Sequence, residues 1–94
     1  MTERQKKLAK DYGPRFIAES RIIKDRILYL SSDAASVLTD AEWLECAKTM
    51  TKFVEELDKV EDIVKKRVGE TLNEGENFVD LYAKAREDIK RFMH

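Results

Sequence analysis

Trp43, Ala47, Met50, Val54, Leu57, Val64 and Val68 recur in steps of three and four, with one wider gap, the period of an amphipathic helix. From Thr39 to Leu72 there is no proline and one glycine, Gly69, so the pattern predicts a single long helix over residues 39–72. At about 1.5 Å per residue such a helix is roughly 50 Å long. Its start is strongly marked: Thr39 and Glu42 are spaced for a capping box, and Leu38 and Trp43 for a hydrophobic staple. Asn73-Glu74-Gly75 supplies residues that tolerate left-handed backbone and ends the helix.

On either side the same period continues. Phe16, Ser20, Ile23, Ile27 and Leu30 form a line interrupted only by the serine, with Ile22 and Tyr29 on a second line. Charges at Arg21, Lys24, Asp25 and Arg26 break any two-residue alternation, so residues 14–31 read as helix rather than strand. Pro14 suits a first helical turn, and Ser31-Ser32-Asp33 suits an end. Residues 1–13 read as a short separate helical arm, capped by Thr2 with Gln5 and stopped by Gly13-Pro14. Asn77 caps a last helix over 77–93, whose apolar line is Phe78, Leu81, Tyr82, Ala85, Ile89 and Phe92. The expected fold is all-α: a single domain with three antiparallel helices built on one long central helix, plus the N-terminal arm.

Composition agrees with this reading. Three glycines and one proline leave little material for hairpins, and 39% charged residues suit exposed helical faces. The net charge of −1 is unevenly spread: residues 1–31 carry +4, residues 32–64 carry −6 and residues 65–94 carry +1. A basic N-terminal segment packing on the acidic middle, within one chain or between subunits, accounts for that asymmetry. The alternative is a segment that attracts phosphate, with Lys6, Lys7, Lys10, Tyr12, Arg15, Lys24 and Arg26 as the candidate anion-binding residues.

Candidate chemistry is sparse. The single Cys46 reads as a small semi-buried hydrophobe, and its one potential histidine partner, His94, is the last residue of the sequence. One histidine excludes paired Glu-x-x-His sites and Cys/His zinc spacing. Adjacent carboxylates such as Glu55-Glu56 point about 100° apart on a helix and read as solvated charge. Gly13, Gly69 and Gly75 are isolated, so no glycine-rich phosphate loop is expected. Trp43-Leu44-Glu45 lacks the glycine of the small secreted Trp-x-Gly hairpins, which excludes that class. The charged start and the absence of a long apolar run point to a cytoplasmic protein that does not enter the membrane.

The expected function is therefore that of a non-catalytic, homo-oligomeric protein-interaction module without metal or cofactor. Adaptor, scaffold subunit and small inhibitor of a larger assembly, phage-type antagonists included, all fall within that class. Its candidate interface is Trp43, Met50, Phe53, Val54, Leu57, Val60, Ile63 and Val64. Beyond self-association, the candidate partners are a second protein or, in the alternative reading, a nucleotide or nucleic-acid phosphate held by the basic segment.

Overall fold

Local capping sets both long helices in motion. Thr2 and Gln5 exchange hydrogen bonds (Thr2 N–H to Gln5 Oε1 at 2.8 Å, Gln5 N–H to Thr2 Oγ1 at 3.1 Å) and open α1, Glu3–Ala35. Thr39 and Glu42 do the same at 3.0 and 3.2 Å and open α2, Asp40–Thr71. The computed structural model describes residues 1–92; Met93 and His94, including the last position of the expected 77–93 helix, lie outside the described residues. A third helix, α3, spans Phe78–Phe92. Asn77 caps it, its Oδ1 accepting the Asp80 N–H at 2.9 Å. The all-α, three-helix arrangement is present, and no helix among the described residues is long and apolar enough to cross a membrane.

The separate N-terminal arm is not. α1 runs through Gly13-Pro14 without interruption, giving two long helices in place of one. Proline inside a helix removes the hydrogen bond to the carbonyl four residues back and ordinarily costs about 3 kcal/mol. Here Gly13 and Pro14 are both buried, and tertiary packing offsets that loss. A methyl group at Gly13 would collide with the Val68 side chain of α2 and meet Val64 at 3.5 Å. The glycine is therefore a point of close approach of α1 and α2, not a break.

Nor does α1 stop at Ser31-Ser32-Asp33. The Ser31 and Ser32 hydroxyls donate to the carbonyls of Ile27 and Leu28, at 2.8 and 3.4 Å, and leave the helical backbone intact. The Ser31 hydroxyl also lies 3.1 Å from the Met50 sulfur.

α1 and α2 form an antiparallel hairpin, with Gly13 against Val68, Lys24 against Asp58 and Glu61, and Ser31 against Met50. α3 returns after the turn at Gly75, whose φ of 85° is the left-handed conformation that favours glycine. It lies along α1, with Leu81 and Ala85 near Pro14, Tyr82 under Arg21 and Ile89 near Ala18. α1 is thus the helix that packs most on the other two, and α3 touches α2 only slightly.

Because α3 is half the length of the others, it covers only half of the hairpin. The fully buried apolar residues, Ile17, Ala18, Val68, Ala85 and Ile89, all lie in the half of the molecule that α3 covers. Ser20 is buried among them, with no hydrogen-bond partner for its hydroxyl among the described residues. The tip, residues 26–56, is a two-helix extension that gives the molecule its 53 Å length.

Candidate functional site

The expected interface residues of α2 divide into two sets. Trp43, Met50, Val54, Leu57 and Val64 are half-buried against α1. Phe53, Val60 and Ile63 remain exposed, Phe53 by 50% and Ile63 by 69%. Phe53 and Val60 are seven residues apart, so they share one side of α2, with Cys46 seven residues earlier. Cys46 is exposed rather than semi-buried, because nothing in the hairpin covers that side of α2.

α1 carries a matching line. Phe16, Ile23 and Leu30, also spaced by seven, are exposed by 36%, 46% and 62%. On α1 the residues toward α2 (Gly13, Lys24, Ser31) lie between this line and the residues toward α3 (Pro14, Ala18, Arg21). At 100° per residue, Phe16, Ile23 and Leu30 therefore face away from α3. The same construction on α2 places Phe53 and Val60 on that side, because Lys65, which reaches α3 over the Phe78 ring at 5.3 Å, points the other way. The antiparallel register interleaves the two lines into one apolar face on the back of the hairpin.

On the α3 side, an apolar groove of about 370 Å³ continues beyond the end of α3. Ile27, Leu28, Trp43, Ala47 and Met50 line it. Leu28 extends the Pro14–Ala18–Arg21–Asp25 line on which α3 rests. Trp43 is thus neither core nor free surface; it forms one wall of this groove.

The candidate anion-binding residues are not brought together as a site. Lys6 pairs with Glu3 at 3.4 Å, Lys10 with Glu76 at 3.0 Å and Arg15 with Glu19 at 3.3 Å. Lys24 sits between Asp58 at 2.6 Å and Glu61 at 2.9 Å. Burial by itself would lower the Lys24 pKa, but hydrogen bonds from its ammonium to those two carboxylates carry it above the ordinary lysine value. Lys7, Tyr12 and Arg26 are exposed. Of the four paired cations only Lys24 pairs with the acidic middle of the chain; Lys6 and Arg15 pair within α1, and Lys10 pairs with Glu76 at the turn before α3.

Sequence reasoning missed a different constellation. Arg21 lies over the Tyr82 ring, its Cζ 4.6 Å from the ring centroid, and Arg86 approaches the same ring at 5.9 Å. Together with Lys24, Lys90 and Asp25, and with Ala18, Ile22 and Ile89 beneath, they line an open cleft of about 650 Å³ between α1 and α3. Arg21 and Arg86 belong to stretches 65 residues apart, and only the placement of α3 along α1 unites them. Arg86 and Lys90 thus share a cleft with residues of α1 and not with Lys65-Lys66-Arg67 of α2.

No family model, curated protein or solved structure matches this chain. Its functional reading rests on these surfaces alone.

Proposed function

We propose that this chain is a non-catalytic helical interaction module whose first partner is a second copy of itself. The observation that carries the proposal is the back face of the hairpin: Phe16, Ile23 and Leu30 beside Phe53 and Val60, all exposed, in two lines spaced by seven. Paired lines of that spacing are the pattern by which antiparallel helices pack into four-helix layers. Contiguous exposed apolar surface of this kind favours burial against protein.

Charge selects the orientation. The tip, residues 26–56, holds three basic against six acidic residues, a net −3, whereas the remainder is +2. A two-fold axis across the helices sets each acidic tip beside the partner's basic base; an axis along them sets the acidic tips together. The first is favoured, and it gives an antiparallel dimer with α3 on each outer side. Adaptor, scaffold and inhibitor roles all remain compatible with such a subunit, and the apolar groove beyond α3 stays open in the dimer.

Sedimentation across a concentration series tests the proposal. A dimer is expected, and Phe53→Glu with Val60→Glu is expected to give an 11.0 kDa monomer of unchanged helicity by circular dichroism. A wild-type chain that stays monomeric at every concentration overturns it. Cys46 reads the orientation: the antiparallel dimer separates the two thiols, so efficient disulfide cross-linking through Cys46 would refute that arrangement.

A further inference from the structure

The cleft between α1 and α3 combines features that the fold does not need. Two guanidinium groups, Arg21 and Arg86, converge on one tyrosine ring. Among the described residues neither has a carboxylate within ion-pair distance, although many of the chain's other cations have one. Lys90 adds a third positive charge, held only loosely by Glu87 at 3.8 Å. Lys24 is already neutralised by Asp58 and Glu61, and Asp25 is the one carboxylate among the described lining residues. The cleft therefore keeps a net positive charge at close quarters.

Its floor is of the opposite character. Ala18 and Ile89 are 2% and 5% exposed, and Ile22 flanks them. Arg21 and Arg86 both approach the Tyr82 ring, and cation–π attraction to it restrains the two guanidinium groups. Their N–H groups are then directed by stacking rather than by a counter-ion, which leaves donors for a planar or tetrahedral anion. A volume of about 650 Å³ exceeds what a bare inorganic ion requires and lies in the range of small-molecule sites.

We infer that this cleft binds an anionic organic ligand, with a phosphate or carboxylate between Arg21 and Arg86 and an apolar body on Ala18, Ile22 and Ile89. The site lies on the α3 side of the hairpin and the self-association face on the other, so the two proposals stand or fall separately. A phosphate-bearing nucleotide and a carboxylate-bearing amphiphile share this chemistry.

The test is a titration followed by amide chemical shifts, using adenosine monophosphate, dodecanoate and inorganic phosphate as probes on the full chain. At least one of the two organic anions is expected to give saturable shifts at Ala18, Ile22, Tyr82 and Arg86, and to bind about tenfold or more tightly than inorganic phosphate. Which of them does so distinguishes a nucleotide from an amphiphile. Arg21→Gln with Arg86→Gln is expected to weaken that binding by about tenfold or more, since each charge-assisted hydrogen bond contributes on that scale. Lys90→Gln, on an exposed side chain, is expected to weaken it less without touching the fold. The inference is overturned if neither organic anion binds more tightly than inorganic phosphate, or if the wild-type shifts map away from the cleft. It is equally overturned if a folded double variant binds as the wild type does.

Discussion

The base and the tip of this molecule are built from the same two helices, yet they differ in what they bury. Where α3 lies along α1, Ile17, Ala18, Val68, Ala85 and Ile89 are shut off from solvent. Between Arg21 and Arg67 no described residue is fully buried, although this stretch contains Ile22, Ile27, Trp43, Met50 and Leu57. Two helices in contact can each hide one stripe, but the grooves on either side of their seam stay open. A third helix closes one groove and makes a core. The tip has the apolar residues for a core without a third helix to complete it, which is why its surface is the place to seek a partner.

That contrast can be broken most directly at its strongest point. Ile17→Ala is expected to cost about 2–5 kcal/mol, the usual range for emptying a buried isoleucine site. Met50→Ala, half-buried in the tip, is expected to cost about 1–2 kcal/mol because less of its surface leaves water. Denaturant melts of the two variants measure both. Equal losses would mean that the tip is as well packed as the base, and a dilution series on Met50→Ala would then show whether the dimer supplies that packing.

Gly13→Ala comes next. Alanine gains roughly 1 kcal/mol over glycine in helix propensity, whereas overpacking at a closed contact costs about 1–3 kcal/mol. Val68 is β-branched and buried, so it has little freedom to give way. A net loss of stability is expected in the thermal midpoint. A rise would show that α1 and α2 are not pressed together at this point.

The smallest expected effects are pH-dependent and separate the two regions. Glu76 at the base accepts the Asn73 backbone N–H and the Lys10 ammonium, and Glu42 at the tip accepts the Thr39 backbone N–H and is bonded to its side chain. Both carboxyls are held below their ordinary value of 4.5. A lowered folded pKa means that the stabilisation is present above the unfolded value and is lost as pH falls through the folded one. Glu76→Gln and Glu42→Gln should therefore melt below the wild type at neutral pH, with the gap closing well below pH 4.5. Hydrogen exchange should place the Glu42→Gln loss in the tip and the Glu76→Gln loss at the base. A gap that persists unchanged into acid would rule out these carboxylates as its source.

Where the signal was local, the chain could be read directly. Thr39 with Glu42, Thr2 with Gln5, and Asn77 with Asp80 mark helix starts that depend on residues three apart, and all three are made as hydrogen bonds. The all-helical class followed equally from the three-and-four period. Gly13-Pro14 shows where such reading fails. The local preference of the pair is to stop a helix, but Val68, more than fifty residues away in sequence, needs the missing side chain of Gly13 for close approach. The two lines of the back face were half visible, in that Phe53, Val60 and Ile63 stood off the main stripe of α2. Nothing in the spacing told which side α3 would take.

Helix starts, amphipathic stripes and the uneven charge of this protein were thus properties of short stretches of chain, set by hydrogen bonds and periodicity within a few residues. The continuity of α1, the uncovered tip and the Arg21–Tyr82–Arg86 cleft were decided only by how three helices of unequal length pack. The last of these depends on the choice of α1 rather than α2 as the bed for α3. That choice is a sum of many weak contacts between distant residues, and no local pattern records it.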